Sequence, residues 1–581
     1  MAGSKKSCGF LFFHLFLKKG DKMEKKITYI VIALMLITAL MTSCEIKSSE
    51  PTFISNSREY RNNESILKRE LSVKVSVEFD KMEIKDVLVD ADGVSEVRAY
   101  TTEYYKNNVL VVGDTVSINY DYMYFGKHLM EYSFFKNGRE VFSTTSEEII
   151  TSDAYNVAVL IATMPVTDYT LMGLNIDYNE DYFDASLPTI ISLERAWSYT
   201  WKELPNNFLI NPFLTDDVIC NGANMSSEYW DSMYKNFNYV KYLYSLNPES
   251  RFNFYINDYW PDQFLDYMAI GIPVDQMKFV FISDGSATFN VFSSPYGSMT
   301  SSSDTSLDVY KDIVSDWEIL KERILEDRSS GYEAMKATGH SMMRDFIQVM
   351  INDNDLDIYW LVNNNSDRNY NSLKAYTDVV KVHPHFIKLD LNALLTSLED
   401  NEKTTLTKLY AFDNTELNEA IKQGKQPVIF LGTSTSGETH LDAYCSIMKN
   451  LLGNNYAYLY KGHPGHMTNG AANRESILSS NGYIMLDASI PAELVAFFNP
   501  TSDLAGYSGS SFASYEKAIP FMCMDSYDNK YIANVENYAV PSGSGYLIVR
   551  NRLTNPENTI WDGESDWNSL IWVEGDPNAD K

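Results

Sequence analysis

Between residues 69 and 175 the chain alternates apolar and polar positions in short runs. Ser72–Phe79, Ser95–Tyr105, Val109–Gly113, Thr115–Phe125 and Tyr132–Phe142 repeat with a period of two, and turn pairs such as Asp92-Gly93 and Asn137-Gly138 separate them. A period of two puts successive side chains on opposite faces of a half-buried strand, so these runs predict an immunoglobulin-like β-sandwich. From about residue 176 the pattern changes. Apolar runs at Leu171–Tyr178, Phe252–Asp258, Met277–Gly285, Asp357–Asn363, Pro427–Ser434 and Ala457–His463 predict buried strands. Helical spacing over 186–201, 226–246, 307–325, 439–453 and 491–498 predicts helices between them. Alternating strands and helices imply parallel sheets covered on both faces. Nearly four hundred residues exceed one such domain, so the fold class is α/β with two Rossmann-like domains facing a cleft, preceded by the β-sandwich. The expected boundaries are 69–175 for the β domain, 176–415 for the first Rossmann-like domain and 416–581 for the second.

The residues ahead of this pattern read as targeting. Met23 opens a charged stretch, Ile27–Leu40 is apolar but short for a membrane span, and Thr42-Ser43 precede Cys44. Small residues before a cysteine match a bacterial lipoprotein leader over 1–44, with Cys44 lipidated and 45–68 a polar linker. An uncleaved anchor is the alternative. Either expectation tethers the chain to a membrane, on the periplasmic side or the cell surface.

Composition narrows the partners. A formal charge of −30 disfavours nucleic acid and anionic lipid as non-specific partners. Cys220, Cys445 and Cys523 are too far apart for a disulfide framework and lack the spacing of a zinc site, so they read as buried thiols. His463 and His466 lack a close third ligand, and no metal is expected.

Candidate chemistry lies at strand ends. Tyr458–His466 reads YLYKGHPGH, a buried strand that stops at Lys461 and enters a Gly-His-Pro-Gly loop. Lysine, histidine and loop N–H groups at the carboxyl end of a strand suit a phosphate. A packing loop is the alternative. Gly432-Thr433-Ser-Thr-Ser follows another strand and offers donors without a Walker or dinucleotide fingerprint. Glu493, two residues after Pro491, can accept hydrogen bonds from a ribose diol or simply favour the helix dipole. Ser510-Ser511 before a helix can bind an anion or cap the helix. Asp184 before Ala-Ser-Leu-Pro, and Asp284 before Gly285, are either general bases or turn carboxylates.

Taken in order, Asp184-ASLPT, Ser283-Asp284-Gly-Ser, Gly432-TST, Lys461-GHP, Glu493 and Ser510-Ser511 resemble the bacterial sialyltransferases of glycosyltransferase family 80, over roughly 176–515. The resemblance implies a GT-B fold and metal-independent, inverting transfer of sialic acid from CMP-sialic acid to a galactoside, with no cofactor. It assigns Asp184 as the base and His463 to the departing phosphate. It places Lys461, Gly462, Pro464, Glu493, Ser510, Ser511, Gly432 and Thr433 around the donor. Three departures concern the acceptor side. Asp184 directly abuts Ala185, leaving Asp181 and Asp284 as other candidate bases. Ser436 stands where the family has tryptophan, and Asp258–Gln263 where it has a histidine. Another CMP-ulosonate such as CMP-Kdo, or a catalytically inactive glycan- or nucleotide-binding lipoprotein, are the alternatives.

Overall fold

The structure is a computed structural model. It describes residues 52–56, 68–74, 78–105, 115–160, 163–193, 207–214, 227–284, 289–297, 303–363, 373–432, 453–462, 474–507, 520–525 and 545–548, apart from 92, 94, 176, 341 and 489, together with 441, 442, 445 and 449. Cys44, Thr433, His463, Pro464, Ser510 and Ser511 lie outside the described residues.

The region of the alternating runs forms two antiparallel sheets, and one of them takes in Thr52–Asn56, a strand inside the segment expected to be a polar linker. One holds β1 (Thr52–Asn56), β2 (Lys68–Lys74) and β5 (Thr115–Asp121) in the order β1-β2-β5. The other holds β3 (Lys81–Val89), β4 (Glu96–Tyr105), β6 (Gly126–Lys136) and β7 (Arg139–Ile150) in the order β4-β3-β6-β7. Along β6, buried and more accessible positions alternate, which is the signature of a sheet covered on one face.

The next strand, β8 (Ala154–Leu160), belongs to a different architecture. Six of its seven positions are buried, and it pairs in parallel with β11 (Thr189–Leu193) and β13 (Arg251–Asn257). With β12 (Phe208–Ile210), β14 (Met277–Ile282), β15 (Asp357–Asn363) and β16 (Phe386–Leu389) they make a seven-stranded sheet ordered β12-β11-β8-β13-β14-β15-β16. The αβ region therefore begins at Ala154, inside the segment expected to be β domain. An apolar run buried on both faces loses the alternation that would have marked the change.

Two local expectations are exchanged. Residues 171–178, expected as a strand, contain the end of the helix Thr163–Leu174. Residues 189–193, expected as helix, are β11. The β-branched Thr189-Ile-Ile run suits a strand, and pairing on both sides overrides the helical spacing around it. Asn179–Glu180 (β9) and Phe183–Asp184 (β10) form a small hairpin just before it.

A second sheet follows: β17 (Gln426–Leu431), β18 (Tyr456–Lys461), β19 (Ile484–Leu486), β20 (Asp503–Tyr507), β21 (Pro520–Asp525) and β22 (Gly545–Ile548), ordered β19-β18-β17-β20-β21-β22. All its pairs are parallel except β21 with β22. In both sheets the first strand lies inside, the next two extend to one side, and the chain then crosses to the other. That is the doubly wound order, and it leaves a crevice at the carboxyl ends where the order reverses. The reversals fall between β8 and β13 in the first sheet and between β17 and β20 in the second.

Two apolar cores hold these layers. One runs from the antiparallel sheets (Phe79, Tyr132) onto one face of the first parallel sheet (Phe254, Trp360). The other joins that sheet's opposite face (Tyr255, Ile282) to the second sheet (Ile429, Leu459) through Leu391, Leu395 and Leu406.

Candidate active site

At the carboxyl edge of the second sheet, three of the sequence motifs come together. The Gly432 N–H, just past β17, donates to the Lys461 carbonyl at the end of β18 at 2.8 Å. Lys461 turns its ammonium inward, donating to the carbonyls of Gly462 at 2.6 Å and Ala488 at 2.9 Å. The second bond ties β18 to the segment that enters the helix Ala492–Phe498. Glu493 is buried in that helix's first turn. Burial pushes the Lys461 pKa down to about 7, against the opposing influence of the Glu493 and Asp487 carboxylates. Gly432, Lys461, Gly462 and Glu493 thus share one edge, with an acid and a base buried together at the mouth of a switch point.

The carboxyl edge of the first sheet is organised around Asp258. It follows β13 and is fully buried. Its Oδ1 accepts the Asp284 backbone N–H at 3.0 Å, and its Oδ2 accepts the Trp360 indole N–H at 3.0 Å. The Asp258 N–H donates to Ile282 at 3.0 Å. Asp284, partly exposed, is therefore fixed through its main chain where β14 ends, next to the switch point. Asn257 Oδ1 accepts the N–H groups of Tyr259 at 2.6 Å and Trp260 at 3.3 Å, which sets the turn beyond β13.

Asp184 occupies the opposite edge. Its carbonyl accepts from Asn156 Nδ2 at 2.8 Å, and Asn156 pairs with Thr189, the first residue of β11. Both strands start there, so the position is the amino-terminal edge of the sheet. The Asp184 carboxylate accepts the Ser186 N–H at 2.8 Å and hydroxyl at 2.6 Å, closing a turn. Asp181 is on the same side, its carbonyl bonded by Lys278 at the start of β14. Asp184 and Asp181, expected as candidate bases, thus stand at the amino-terminal edge of the first sheet. In this fold, ligands gather at carboxyl ends, and these two carboxylates stand a strand's length away.

A similar small–hydroxyl–apolar–proline sequence, Ala162-Thr163-Met164-Pro165, follows β8 and does open a helix at the carboxyl edge. The residues just before it are Leu160 and Ile161, so that turn brings no carboxylate. Sequence reasoning marked Asp258–Gln263 as a departure on the acceptor side but missed that Asp258 organises this edge, and it missed the turn. The signal for the turn was Pro165 in the first turn of a helix directly after a buried run.

Among the described residues no group of three His, Cys, Asp or Glu side chains could hold a metal ion, and no helix is long and apolar enough to cross a membrane. Cys445 is buried and forms no disulfide.

No protein-family model matches the sequence, and no curated protein does. Solved structures that resemble the chain include sialyltransferases. The α/β-galactoside α-2,3-sialyltransferase of Photobacterium phosphoreum is 14% identical, with 68% of this chain and 94% of that one covered at a TM-score of 0.45. A Photobacterium 2,6-sialyltransferase solved with CMP and lactose is 11% identical, with 90% and 94% covered at a TM-score of 0.48. The GT-B domain of a Photobacterium damselae sialyltransferase is 13% identical, with 67% and 92% covered at a TM-score of 0.43.

Proposed function

We propose that the protein is a glycosyltransferase of GT-B type that moves sialic acid from CMP-sialic acid to a galactoside, with inversion and without a metal ion. The observation that carries this reading is the assembly of Gly432, Lys461, Gly462 and Glu493 at the carboxyl edge of the second doubly wound sheet. Their order in the chain is that of the family the sequence resembles. In this reading Glu493 holds the cytidine ribose, and His463 with Ser510 and Ser511 takes the phosphate. The two parallel-sheet domains face each other across a cleft, and the antiparallel region is an immunoglobulin-like module. Cys44 carries the lipid that tethers the protein to a bacterial membrane.

The carboxylate available on the acceptor side is Asp284 rather than Asp184. Asp284 takes the proton from the acceptor hydroxyl. The resulting oxygen attacks the anomeric carbon of the sialyl group, and the bond from that carbon to the phosphate oxygen breaks, releasing CMP. CMP leaves as a phosphate monoester, so the demand is for positive charge and N–H donors at the phosphate rather than for a covalent intermediate.

The test is CMP release from CMP-sialic acid by the purified full chain, with lactose present and EDTA added, and NMR analysis of the product. Formation of sialyllactose in EDTA is the expected result. Turnover of CMP-Kdo but not CMP-sialic acid would move the reading to another ulosonate. The missing carboxylate at Leu160–Ile161 favours one further reading, a glycan- or nucleotide-binding protein without activity. Binding of CMP with no turnover of either sugar nucleotide would establish it.

A further inference from the structure

We propose that Tyr259 and Trp260 form the platform on which the hexopyranose ring of a neutral acceptor lies, with Arg344 bracing it; the acceptor role rests on the transferase reading above. Trp317 and Trp360 are buried, whereas Trp260 is 44% exposed. It stands two residues beyond Asp258, whose carboxylate holds the main chain of Asp284. The indole, on the turn beyond β13, meets the Tyr259 ring and keeps part of its apolar face in water. The C–H face of a galactoside is its chemical complement, and aromatic side chains give sugar sites both area and orientation.

The platform is held in place before any ligand arrives. Asn257 caps the N–H groups of Tyr259 and Trp260. The two rings meet edge to face, with centroids 5.0 Å apart and planes at 85°. The Arg344 guanidinium carbon sits 4.7 Å from the Tyr259 ring centre, brought in by the 3-10 turn Met343–Phe346. Arg344 Nε and Nη1 are shielded from solvent, so the guanidinium acts on the platform through the Tyr259 ring. A platform already ordered loses little freedom when a ligand binds. A neutral sugar fits best, because carboxylates outnumber cations on this edge: Asp258 holds the Asp284 main chain, and Asp262 feels both Arg344 and Asp345. The same site explains how the chain can lack the family's tryptophan at Ser436: the aromatic surface comes from the first domain instead.

The test compares wild type, Trp260→Ala and Trp260→Phe as purified full chains. Lactose binding is measured by isothermal titration and by saturation-transfer NMR, and acceptor and donor KM are measured separately. Trp260→Ala should weaken lactose binding about tenfold, in keeping with the loss of one aromatic contact. Trp260→Phe should keep it within about threefold, since a ring is retained. In turnover, the alanine variant should raise the lactose KM in step with the loss of binding and leave the CMP-sugar KM unchanged. Because Trp260 is exposed, the variant's melting temperature should match wild type, which separates lost binding from lost folding. Lactose binding unaltered in Trp260→Ala, or no lactose binding by wild type, would overturn the platform. Trp260-dependent lactose binding without turnover by wild type would keep the platform and remove the transferase reading.

Discussion

Asp284 and Asp184 make opposite demands on one experiment. If the site lies at the carboxyl edge, Asp284→Asn should cut transfer by about two to four orders of magnitude, the usual worth of a positioned base. Asp184→Asn should leave the rate near wild type, since that carboxylate closes a turn with Ser186 at the other edge. Initial rates of sialyllactose formation decide between them, and the reverse pattern would return the base to Asp184. Lys461 allows a second check, through pH. Its folded pKa is held near 7, against an ordinary value of 10.5 in the unfolded chain. Between those values the unfolded chain binds more protons than the folded one, so stability rises with pH across that window. Below pH 7 the ammonium is charged in both states, and the full cost of burying it is present. Replacing Lys461 with Met removes this dependence together with the bond to Ala488. Urea denaturation at pH 7, 8.5 and 10 should therefore show the stability of wild type gaining on that of Lys461→Met as pH rises. A constant difference would mean that Lys461 is not buried as a charge.

At the scale of elements, the helix Thr163–Leu174 shows how closely the amino-terminal edge of the first sheet is packed. A Cβ on Gly173 would meet the Phe208 ring carbons at 2.6 Å, and Phe208 is itself buried at the start of β12. Gly173→Ala should therefore cost about 1–3 kcal/mol through overpacking, despite alanine's better helix propensity. Chemical denaturation would measure it, and a stabilised variant would show that Phe208 moves aside freely. This helix also marks where the sequence became hard to read. The strands β4 and β5 fall inside the alternating runs 95–105 and 115–125, whereas β3 lies in none of the runs and the run 132–142 spans the turn between β6 and β7. The end of the β region was not legible, since Ala154–Leu160 is apolar throughout and looks like one more strand in the series. Whether it pairs in parallel or antiparallel depends on partners about a hundred residues away, such as Arg251–Asn257. The Asp184 motif fails for a related reason. Asp-Ala-Ser-Leu-Pro looks the same at either edge of a sheet, and only the pairing of Thr189 with Asn156 reveals which edge it occupies. The places of Lys461 and Glu493 in the fold were legible because each lies at the end or the start of an unambiguous element.

Across the whole molecule, the antiparallel sheets and the first parallel sheet share one apolar core, which bears on whether the β region is a spacer. Tyr155 on β8 packs edge-on against Phe125, ring centroids 5.1 Å apart. The helix Ser227–Leu246 supplies the polar half of the junction. Tyr239 donates its hydroxyl to the Phe125 carbonyl at 2.9 Å. The Tyr242 hydroxyl donates to the Val89 carbonyl at 2.7 Å and accepts the Lys127 N–H at 2.6 Å. Each tyrosine therefore satisfies main-chain groups of the antiparallel region from a helix of the αβ unit. Two regions joined by a common core and by such bonds should unfold together rather than as beads on a string. Hydrogen exchange read by mass spectrometry should find β3 and β6 protected to the same limit as β8 and β13. Tyr242→Phe keeps the ring and strips two main-chain groups of their partner, so it should cost about 1–3 kcal/mol. It should also lower the protection of β3 and β6 before that of β8 and β13, because the bonds it removes end on Val89 and Lys127. Equal loss of protection throughout would show that the shared apolar core alone couples the two regions, and independent protection in the wild-type protein would show that nothing does.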